Sequence, residues 1–200
     1  MPDLLESTAN PDPIEQFRLW WDESLALGEE RRQCVALATI DDAGAPVSRI
    51  VLLKQFDARG FVFFTNYGSR KARELDRDPR AALSIHWYEQ LHQVRIEGRA
   101  ERTSREESGA YFATRPRGSQ IGAWASEQSK VIASRELLER QVAEIEAKFE
   151  GGEVPCPKFW GGYRVIPQRI EFWQGQQNRL HDRLRYTRVG QAWWIDRLAP

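Results

Sequence analysis

Four short segments of the chain concentrate side chains that suit an anionic, phosphorylated ligand. In the first, Arg49 and Lys54 stand at the two ends of the apolar run RIVLLK. In the second, Gly68-Ser69-Arg70-Lys71 lies where a predicted strand turns into a predicted helix. The free N–H groups and the dipole of a helix start favour an anion there, and two cations strengthen that preference. The alternatives are a solvated strand end in the first case and a plain N-cap followed by exposed charges in the second.

The other two segments lie further along the chain. The string YFATRPRGS at 111–119 groups hydroxyl and guanidinium side chains around a predicted helix end. The string RLHDR at 179–183 is predicted to lie on a strand, where residues two apart face the same way, so Arg179, His181 and Arg183 would form one row. Such a row repels itself unless an anion or solvent is present. An exposed edge strand whose charges block edge-to-edge pairing is the alternative.

Several other chemistries lack their sequence signatures. The chain has no GxGxxG after a first strand, no Walker A loop and no GxSxG nucleophile elbow, so a Rossmann or P-loop mechanism is disfavoured. Cys34 and Cys156 are far apart, and the three histidines are scattered, so we predict no metal site. Trp173 could stack on a ligand ring, although most of the eight Trp are expected in the core.

Composition limits the class of protein further. The 200 residues, 41% of them hydrophobic, are enough for one domain with a substantial core. Positive and negative side chains balance at 29 each, which argues against nucleic acid or an anionic membrane surface as partner. Of the 29 cations 24 are Arg, the residue best suited to bidentate binding of phosphate. Because no apolar run reaches transmembrane length and no signal peptide is visible, we expect a cytoplasmic protein.

The elements that must position these side chains follow from hydrophobic periodicity. A helix is predicted over 14–27, and a capping box at Ser104 starts another that runs to about Thr114. Further helices are expected from Ser69, around 119–126, and along a face marked by residues 138 to 149. The predicted strands cover 34–40, 48–57, 61–66, 81–87, 93–103, 163–173, 180–187 and 193–197.

No linker or internal repeat divides this series of elements. We therefore predict a flexible N-terminal segment at residues 1–12 and a single domain at 13–200. Short strands separated by Gly, Asp and Pro turns favour a mostly β domain. The expected form is an antiparallel barrel of six to eight strands, with its edges closed and helices packed outside.

Read in order, the segments resemble the pyridoxine (pyridoxamine) 5′-phosphate oxidase family. The resemblance covers about Asp12 to Pro200 and rests on long strings in the family's order. They are RIVLLK (49–54), FFTNYGSRKA (63–72), RPRGSQIGAWASEQS (115–129), FWGGYRV (159–165), IEFWQG (170–175), RLHDR (179–183) and RLAP (197–200).

The resemblance implies a split antiparallel β-barrel that works as a homodimer, with FMN bound at the subunit interface. The residues that it assigns to FMN binding are Arg49, Ile50, Val51, Leu52, Leu53, Lys54, Phe64, Thr65, Arg70, Lys71, Gln93, Gln128, Ser129, Trp173 and Arg183.

The same resemblance implies oxidation of pyridoxine or pyridoxamine 5′-phosphate to pyridoxal 5′-phosphate, with O₂ as acceptor and H₂O₂ released. Arg179 and His181 are the implied catalytic residues. The implied substrate-binding residues are Lys54, Tyr111, Arg115, Ser119, Arg179, Leu180 and His181.

Two departures from the family pattern are visible. Family members often carry an N-terminal arm with Arg and Tyr over the active site, and MPDLLESTAN has neither. Phe64 stands where Tyr is common, which matters little for a backbone contact. Three alternatives remain: another split-barrel flavoprotein such as a flavin reductase or a deazaflavin-dependent oxidoreductase, a non-catalytic binder of FMN or pyridoxal phosphate, and an Arg-rich nucleic-acid module. The combination of Tyr111, Arg115 and Ser119 with RLHDR disfavours the first, and the zero net charge disfavours the last.

Overall fold

A computed structural model describes residues 3–200; Met1 and Pro2, part of the segment predicted to be flexible, lie outside the described residues. The strands are β1 (Cys34–Ile40), β2 (Pro46–Leu52), β3 (Gln55–Asp57), β4 (Gly60–Asn66), β5 (Arg80–Trp87), β6 (His92–Arg102), β7 (Trp160–Gln174), β8 (Asp182–Val189) and β9 (Ala192–Arg197). The helices are α1 (Pro13–Glu23), α2 (Glu29–Gln33), α3 (Arg70–Arg77), α4 (Arg105–Thr114), α5 (Arg117–Ala125) and α6 (Arg135–Lys148). Short 3₁₀ turns cover Ser24–Leu27, Tyr88–Gln90 and Gln177–Arg179.

All of these strands belong to one antiparallel sheet, which confirms the predicted split barrel with peripheral helices. Its order is β2-β1-β5-β6-β7-β4-β3, and β8 joins β7 to β9. The 15-residue β7 is the central strand: it pairs with β6 along its length, with β4 over its first part and with β8 over its second. This shared strand holds the barrel and the C-terminal hairpin together.

The described residues contain nine strands, where we expected six to eight, because the predicted strand 48–57 is two strands. The chain changes its neighbour at Leu53 and Lys54. The N–H of Leu53 donates to the carbonyl of Gln33, and the N–H of Lys54 donates to the carbonyl of Val62 on β4. Lys54 therefore lies at a break between strands.

The main core fills the barrel beneath α1. Phe17 of α1 is fully buried and meets Phe56 and Phe61 edge to face, with ring centroids 4.8 and 4.9 Å apart. Trp20 packs in the same way on Phe172 of β7 at 5.2 Å. Edge-to-face ring pairs add stability beyond the area they bury. The predicted N-terminal helix is thus confirmed as the element that closes one side of the barrel.

A second, smaller core forms where α4 and α5 pack on the first residues of β7. The capping box predicted at Ser104 is present and starts α4. Gly161 allows the close approach of α4, because a β-carbon there would lie 2.7 Å from the hydroxyl oxygen of Ser108 on that helix. The buried residues of this cluster are Phe112, Ile121, Val154 and Trp160. It forms the floor beneath the cleft described below.

The N-terminal segment makes specific contacts over the part that the structure describes. Leu4 is buried, and its N–H donates to Oε1 of Gln174 at 2.7 Å. Glu6 pairs with Arg197 at 2.7 Å, and the Tyr186 hydroxyl donates to the carbonyl of Asn10 at 2.8 Å. These contacts connect residues 4–10 to the C-terminal strands.

Helices long and apolar enough to cross a bilayer are absent from residues 3–200.

Candidate active site

A cleft of about 450 Å³ opens between β2, β4 and the helices α4 and α5. Its lining residues are Ile50, Val51, Leu52, Lys54, Phe64, Thr65, Asn66, Lys71, Tyr111, Arg115, Ser119, Gly122, Ala123, Ser126, Gln128 and Trp160. The mixture of apolar strand residues, aromatic rings and cations is typical of a site for a ring compound that carries negative charge.

Three cations from different elements converge on this cleft. Lys54 follows β2 and donates to Oε1 of Gln33, while Lys71, in the first turn of α3, donates to the hydroxyl of Thr65 at 3.2 Å. Burial lowers the pKa of Lys71, and the charge of the neighbouring Arg49 lowers it further. An anion in the cleft would offset both effects on the pKa of Lys71, because a nearby negative charge favours the charged form of the amine.

The third cation, Arg115, has an unsatisfied group. Its guanidinium lies 4.7 Å above the ring of Trp160, and burial lowers its pKa. Its Nη1 is buried and has no hydrogen-bond partner among residues 3–200. Since a buried guanidinium nitrogen without an acceptor is costly, an acceptor supplied by a ligand fits this position.

One wall of the cleft consists of parallel aromatic rings. Phe64 stacks on Tyr111 with centroids 4.0 Å apart and planes 12° apart, and on Trp160 at 5.4 Å and 8°. Burial raises the pKa of Tyr111, so its hydroxyl keeps its proton and can donate a hydrogen bond. Ser119, in the first turn of α5, adds a second hydroxyl to the same cleft.

A buried carboxylate organises the cations beside α3. Glu74 pairs with Arg49 at 2.7 Å and with Arg70 at 2.8 Å, and it accepts a hydrogen bond from Thr39 at 2.6 Å. Its side chain is only 3% exposed. Arg49 and Arg70 are therefore held in ion pairs next to the cleft, and neither is among its lining residues.

The structure gathers about half of the predicted site residues into the cleft. Those that line it are Ile50, Val51, Leu52, Lys54, Phe64, Thr65, Lys71, Tyr111, Arg115, Ser119 and Gln128. Leu53 is placed elsewhere: its side chain is in the main core, 1% exposed. Ser129 directly follows Gln128 and is exposed, with φ 74°.

The other predicted residues form a second group around β7 and β8. Gln93, Trp173 and Arg183 are direct neighbours across three strands. The ring of His181 lies 4.5 Å from the ring of Trp173, and Arg183 pairs with Glu171 at 2.8 Å. None of this group, nor Arg179 or Leu180, lines the cleft.

The predicted row of Arg179, His181 and Arg183 on one strand face is wrong. Strand β8 begins only at Asp182, and Arg179 belongs to the 3₁₀ turn that precedes it. Asn178 and Arg179 have φ of 55° and 61°, which ends the extended backbone that the row requires. Arg179 and Leu180 are exposed at this turn, and His181 is partly buried against Trp173.

Sequence reasoning missed five residues that line the cleft: Asn66, Gly122, Ala123, Ser126 and Trp160. All five lie inside the strings that carried the family resemblance. Trp160 gives the weakest sequence signal of the five, because a Trp is expected in the core by default. Trp160 is a core residue, only 5% exposed, and it also lines the cleft, where its ring face contacts Arg115.

The fold and the cleft define a split-barrel protein with a cationic, aromatic pocket, and the comparisons with known proteins give its family. Residues 22–149 match the family model described as pyridoxamine 5′-phosphate oxidase. Residues 160–200 match that of the pyridoxine 5′-phosphate oxidase C-terminal dimerisation region. The chain therefore belongs to the pyridoxamine 5′-phosphate oxidase family of enzymes, which confirms the resemblance seen in the sequence.

Individual relatives agree. A pyridoxine/pyridoxamine 5′-phosphate oxidase from Rubrobacter xylanophilus is 60% identical over 98% of this chain and 91% of the relative. One from Burkholderia thailandensis is 57% identical over 96% of this chain and 90% of the relative. Among solved structures, PhzG from Burkholderia lata, in complex with tetrahydrophenazine-1-carboxylic acid, superposes with a TM-score of 0.91 at 32% identity, covering 98% of both chains.

Proposed function

We propose that this protein oxidises pyridoxine or pyridoxamine 5′-phosphate to pyridoxal 5′-phosphate, using bound FMN and O₂ and releasing H₂O₂. The observation that carries the proposal is the unsatisfied Arg115 nitrogen, which lies in an aromatic cleft of a chain from this family. A phosphate oxygen is the acceptor that this nitrogen lacks, and a pyridine ring fits beside the stacked rings of the wall.

The substrate phosphate is assigned to Lys54, Tyr111, Arg115 and Ser119. Two cations and two hydroxyl donors form a set that suits a dianion, because each can make a charge-assisted hydrogen bond. All four line one cleft although they come from three separate parts of the chain. Their task is binding, since the phosphate does not react.

The cofactor phosphate is assigned to the start of α3, where Lys71 lines the cleft. Ion pairs with Glu74 hold Arg49 and Arg70 beside this position. The residues present fit such a group, because burial and the charge of Arg49 lower the pKa of the Lys71 amine, and a bound anion would favour its charged form. Thr65 and Gln128, joined by a hydrogen bond of 2.9 Å, provide further polar contacts on the same wall. When bound, FMN supplies the hydride acceptor for C4′ of the substrate and passes the electrons to O₂.

The working assembly is proposed to be a homodimer. The region that matches the dimerisation family, residues 160–200, includes Trp173, His181 and Arg183. These residues lie outside the cleft of their own chain, and we assign them to the cleft of the partner subunit. There Trp173 and Arg183 would contact FMN together with Gln93, while Arg179 and His181 would orient the pyridine ring.

The assignment of Lys71 predicts weaker FMN binding in Lys71→Ala. Loss of one charge-assisted hydrogen bond should cost about 1.5–3 kcal/mol of binding free energy, roughly a ten- to hundredfold rise in Kd. Titration of apoprotein with FMN, followed by flavin fluorescence, measures this directly. Arg77→Ala is the matched control, because Arg77 lies on the same helix but pairs with Asp42. Equal affinities of Lys71→Ala and Arg77→Ala would contradict the assignment.

Arg115 is assigned to the cleft of its own subunit and Arg179 to the cleft of the partner subunit. We therefore predict that variants of these two residues complement each other in a mixed dimer. Arg115→Ala and Arg179→Ala homodimers should both be impaired, and a mixed dimer should regain one intact site. Co-expression with two affinity tags isolates the mixed dimer, and its turnover per flavin should approach about half that of the unaltered protein. If the two residues serve one site from the same subunit, the mixed dimer will show no more activity than the average of its parents.

The function itself is tested by colour. Purified protein should be yellow, and the flavin absorbance should bleach without oxygen when pyridoxine 5′-phosphate is added. Air should restore the absorbance with release of H₂O₂ and pyridoxal 5′-phosphate. A yellow protein that substrate never bleaches would be a carrier, and one bleached only by a reduced nicotinamide would be a flavin reductase; either result overturns the proposal.

A further inference from the structure

The turn that carries Arg179 holds an unfavourable backbone conformation. Asn178 and Arg179 are consecutive residues with φ of 55° and 61°. Asn tolerates the left-handed region, but Arg pays a steric penalty from its β-carbon. Such a conformation persists only where the surrounding structure holds it, and strain of this kind concentrates at functional sites.

Asp182 supplies the restraint at the end of this turn. One of its carboxylate oxygens accepts from Nη1 of Arg197 at 2.7 Å, and the other accepts from Nε2 of Gln176 at 2.7 Å. The side chain of Asp182 is only 16% exposed, so water competes weakly for these bonds. The Asp182 carboxylate, at the start of β8, thus connects Gln176 before the turn to Arg197 at the end of β9.

The same arrangement sets the orientation and the proton of His181. The backbone N–H of Gln176 donates to Nδ1 of His181 at 3.0 Å. A backbone N–H can only donate, so Nδ1 must be the unprotonated nitrogen and the proton of the neutral ring is on Nε2. The ring also lies 4.5 Å from Trp173 at 45°, which restricts its rotation.

We propose that Gln176 and Asp182 are positioning residues that hold His181 as the neutral Nε2–H tautomer, a hydrogen-bond donor toward the substrate and not a base. The proposal rests on the proposed function, because it assigns His181 to the pyridoxine phosphate site. A neutral ring with Nδ1 already engaged has no free nitrogen to accept a proton. The proton of the substrate's hydroxyl or amine therefore leaves to another acceptor, such as water.

The tautomer can be measured without turnover. In flavin-loaded protein labelled with ¹⁵N-histidine, long-range ¹H–¹⁵N spectra show which ring nitrogen carries the proton. The chain has three histidines, and His181→Gln assigns the signal of interest. We expect His181 to be protonated on Nε2 at neutral pH. A proton on Nδ1 would overturn the proposal, and this result stands whether or not the protein oxidises pyridoxine phosphate.

Two substitutions at His181 separate a donor from a base. The amide nitrogen of Gln reaches the position of Nε2, whereas the amide of Asn reaches only that of Nδ1. We expect His181→Gln to keep kcat within about tenfold and His181→Asn to lose roughly a hundredfold. Similar losses in both variants, or better activity with Asn, would show that an Nε2 donor is not what the reaction needs.

The role of Asp182 is tested against a carboxylate of similar burial. Asp78 is 22% exposed and pairs with Arg80 outside the site. Asp182→Ala should let the His181 signal average between tautomers and lower kcat about tenfold or more, with a smaller change in KM. Asp182→Asn, which keeps an acceptor for Arg197, should recover part of the loss, and Asp78→Ala should change neither quantity. An unchanged His181 signal in Asp182→Ala would overturn the positioning role.

Discussion

Arg179→Ala is expected to lower kcat by about a hundredfold, because misplacing a reacting carbon by roughly 1 Å costs about that much in rate. The Arg179 side chain lies at an exposed turn, outside the hydrogen bonds and ion pairs found within residues 3–200. This exposure leaves the side chain available for the ligand contact proposed for it. Flavin content should stay near normal, since the residues assigned to FMN are unchanged.

Arg115→Ala is expected to raise KM and to leave kcat nearly unchanged. Under the proposed function Arg115 binds the substrate phosphate, which does not react, so losing this contact should weaken the ground state and the transition state equally and mainly raise KM. The expected loss is about 1.5–3 kcal/mol, roughly ten- to hundredfold, as for one charge-assisted hydrogen bond. Truncation removes the unsatisfied Nη1 together with the contact on the Trp160 ring, and within residues 3–200 it leaves no hydrogen-bond acceptor without its donor.

Steady-state kinetics on the two variants, with pyridoxine 5′-phosphate as substrate, decides between these roles. Arg188→Ala is a suitable control, because Arg188 is an exposed Arg near the far end of β8 and packs on Trp193. It should leave both parameters unchanged. If Arg115→Ala lost kcat while Arg179→Ala lost only affinity, the two assignments would have to be exchanged.

Local sequence patterns predicted most of the secondary structure because they contain its physical causes. Alternating burial along β5 and β6 follows the alternation of apolar and polar residues, and the Ser104 capping box appears where its side chains require it. The predicted strand 48–57 is too long because the local sequence does not contain the cause of its break. Its apolar run continues through Leu53, and only the change of hydrogen-bonding neighbour from β1 to β4 divides it.

In the candidate site, too, the features that the sequence does not predict are those that depend on tertiary contacts. Arg49 and Arg70 are residues of the type that binds phosphate, but in the structure both pair with Glu74 of α3. That pairing forms only when the chain is folded, so the sequence does not predict it. The RLHDR string shows the same alternation as a true strand, so the sequence predicts a strand there. Nothing in those five letters indicates the left-handed backbone at Arg179, since Gly or Asn is the usual signal for it.

Glu74→Gln should be the most destabilising of the single substitutions considered. It leaves Arg49 without its carboxylate, and breaking a buried ion pair by removing one partner costs about 3–5 kcal/mol. We expect about 3 kcal/mol, the lower end, because the Arg49 side chain keeps 21% of its surface exposed. FMN affinity should fall as well, since Arg49 and Arg70 lose the group that holds them beside Lys71.

The effect of Glu74→Gln should depend on pH in one direction. Burial raises the pKa of Glu74, but the hydrogen bonds from Thr39 and Arg49 and the charge of Arg49 outweigh burial and hold the pKa below 4.5. A carboxyl whose pKa is lower in the folded state stabilises the protein above its unfolded pKa, and this stability is lost as the pH falls through the folded value. The gap between the unaltered protein and Glu74→Gln should be full at neutral pH and shrink below about pH 4.5.

Denaturant unfolding of the apoprotein, at neutral pH and in acid, measures this gap without a contribution from bound flavin. The matched control is Glu139→Gln, which breaks the exposed pair with Arg135 on α6, where the carboxylate is 61% exposed. That change should cost less than about 0.5 kcal/mol at either pH, as is usual for exposed pairs within a helix. A gap for Glu74→Gln that stayed constant from neutral pH into acid would mean that shape, and not charge, makes Glu74 necessary. The charge of the ion pairs with Arg49 and Arg70 would then not account for the stability that Glu74 provides.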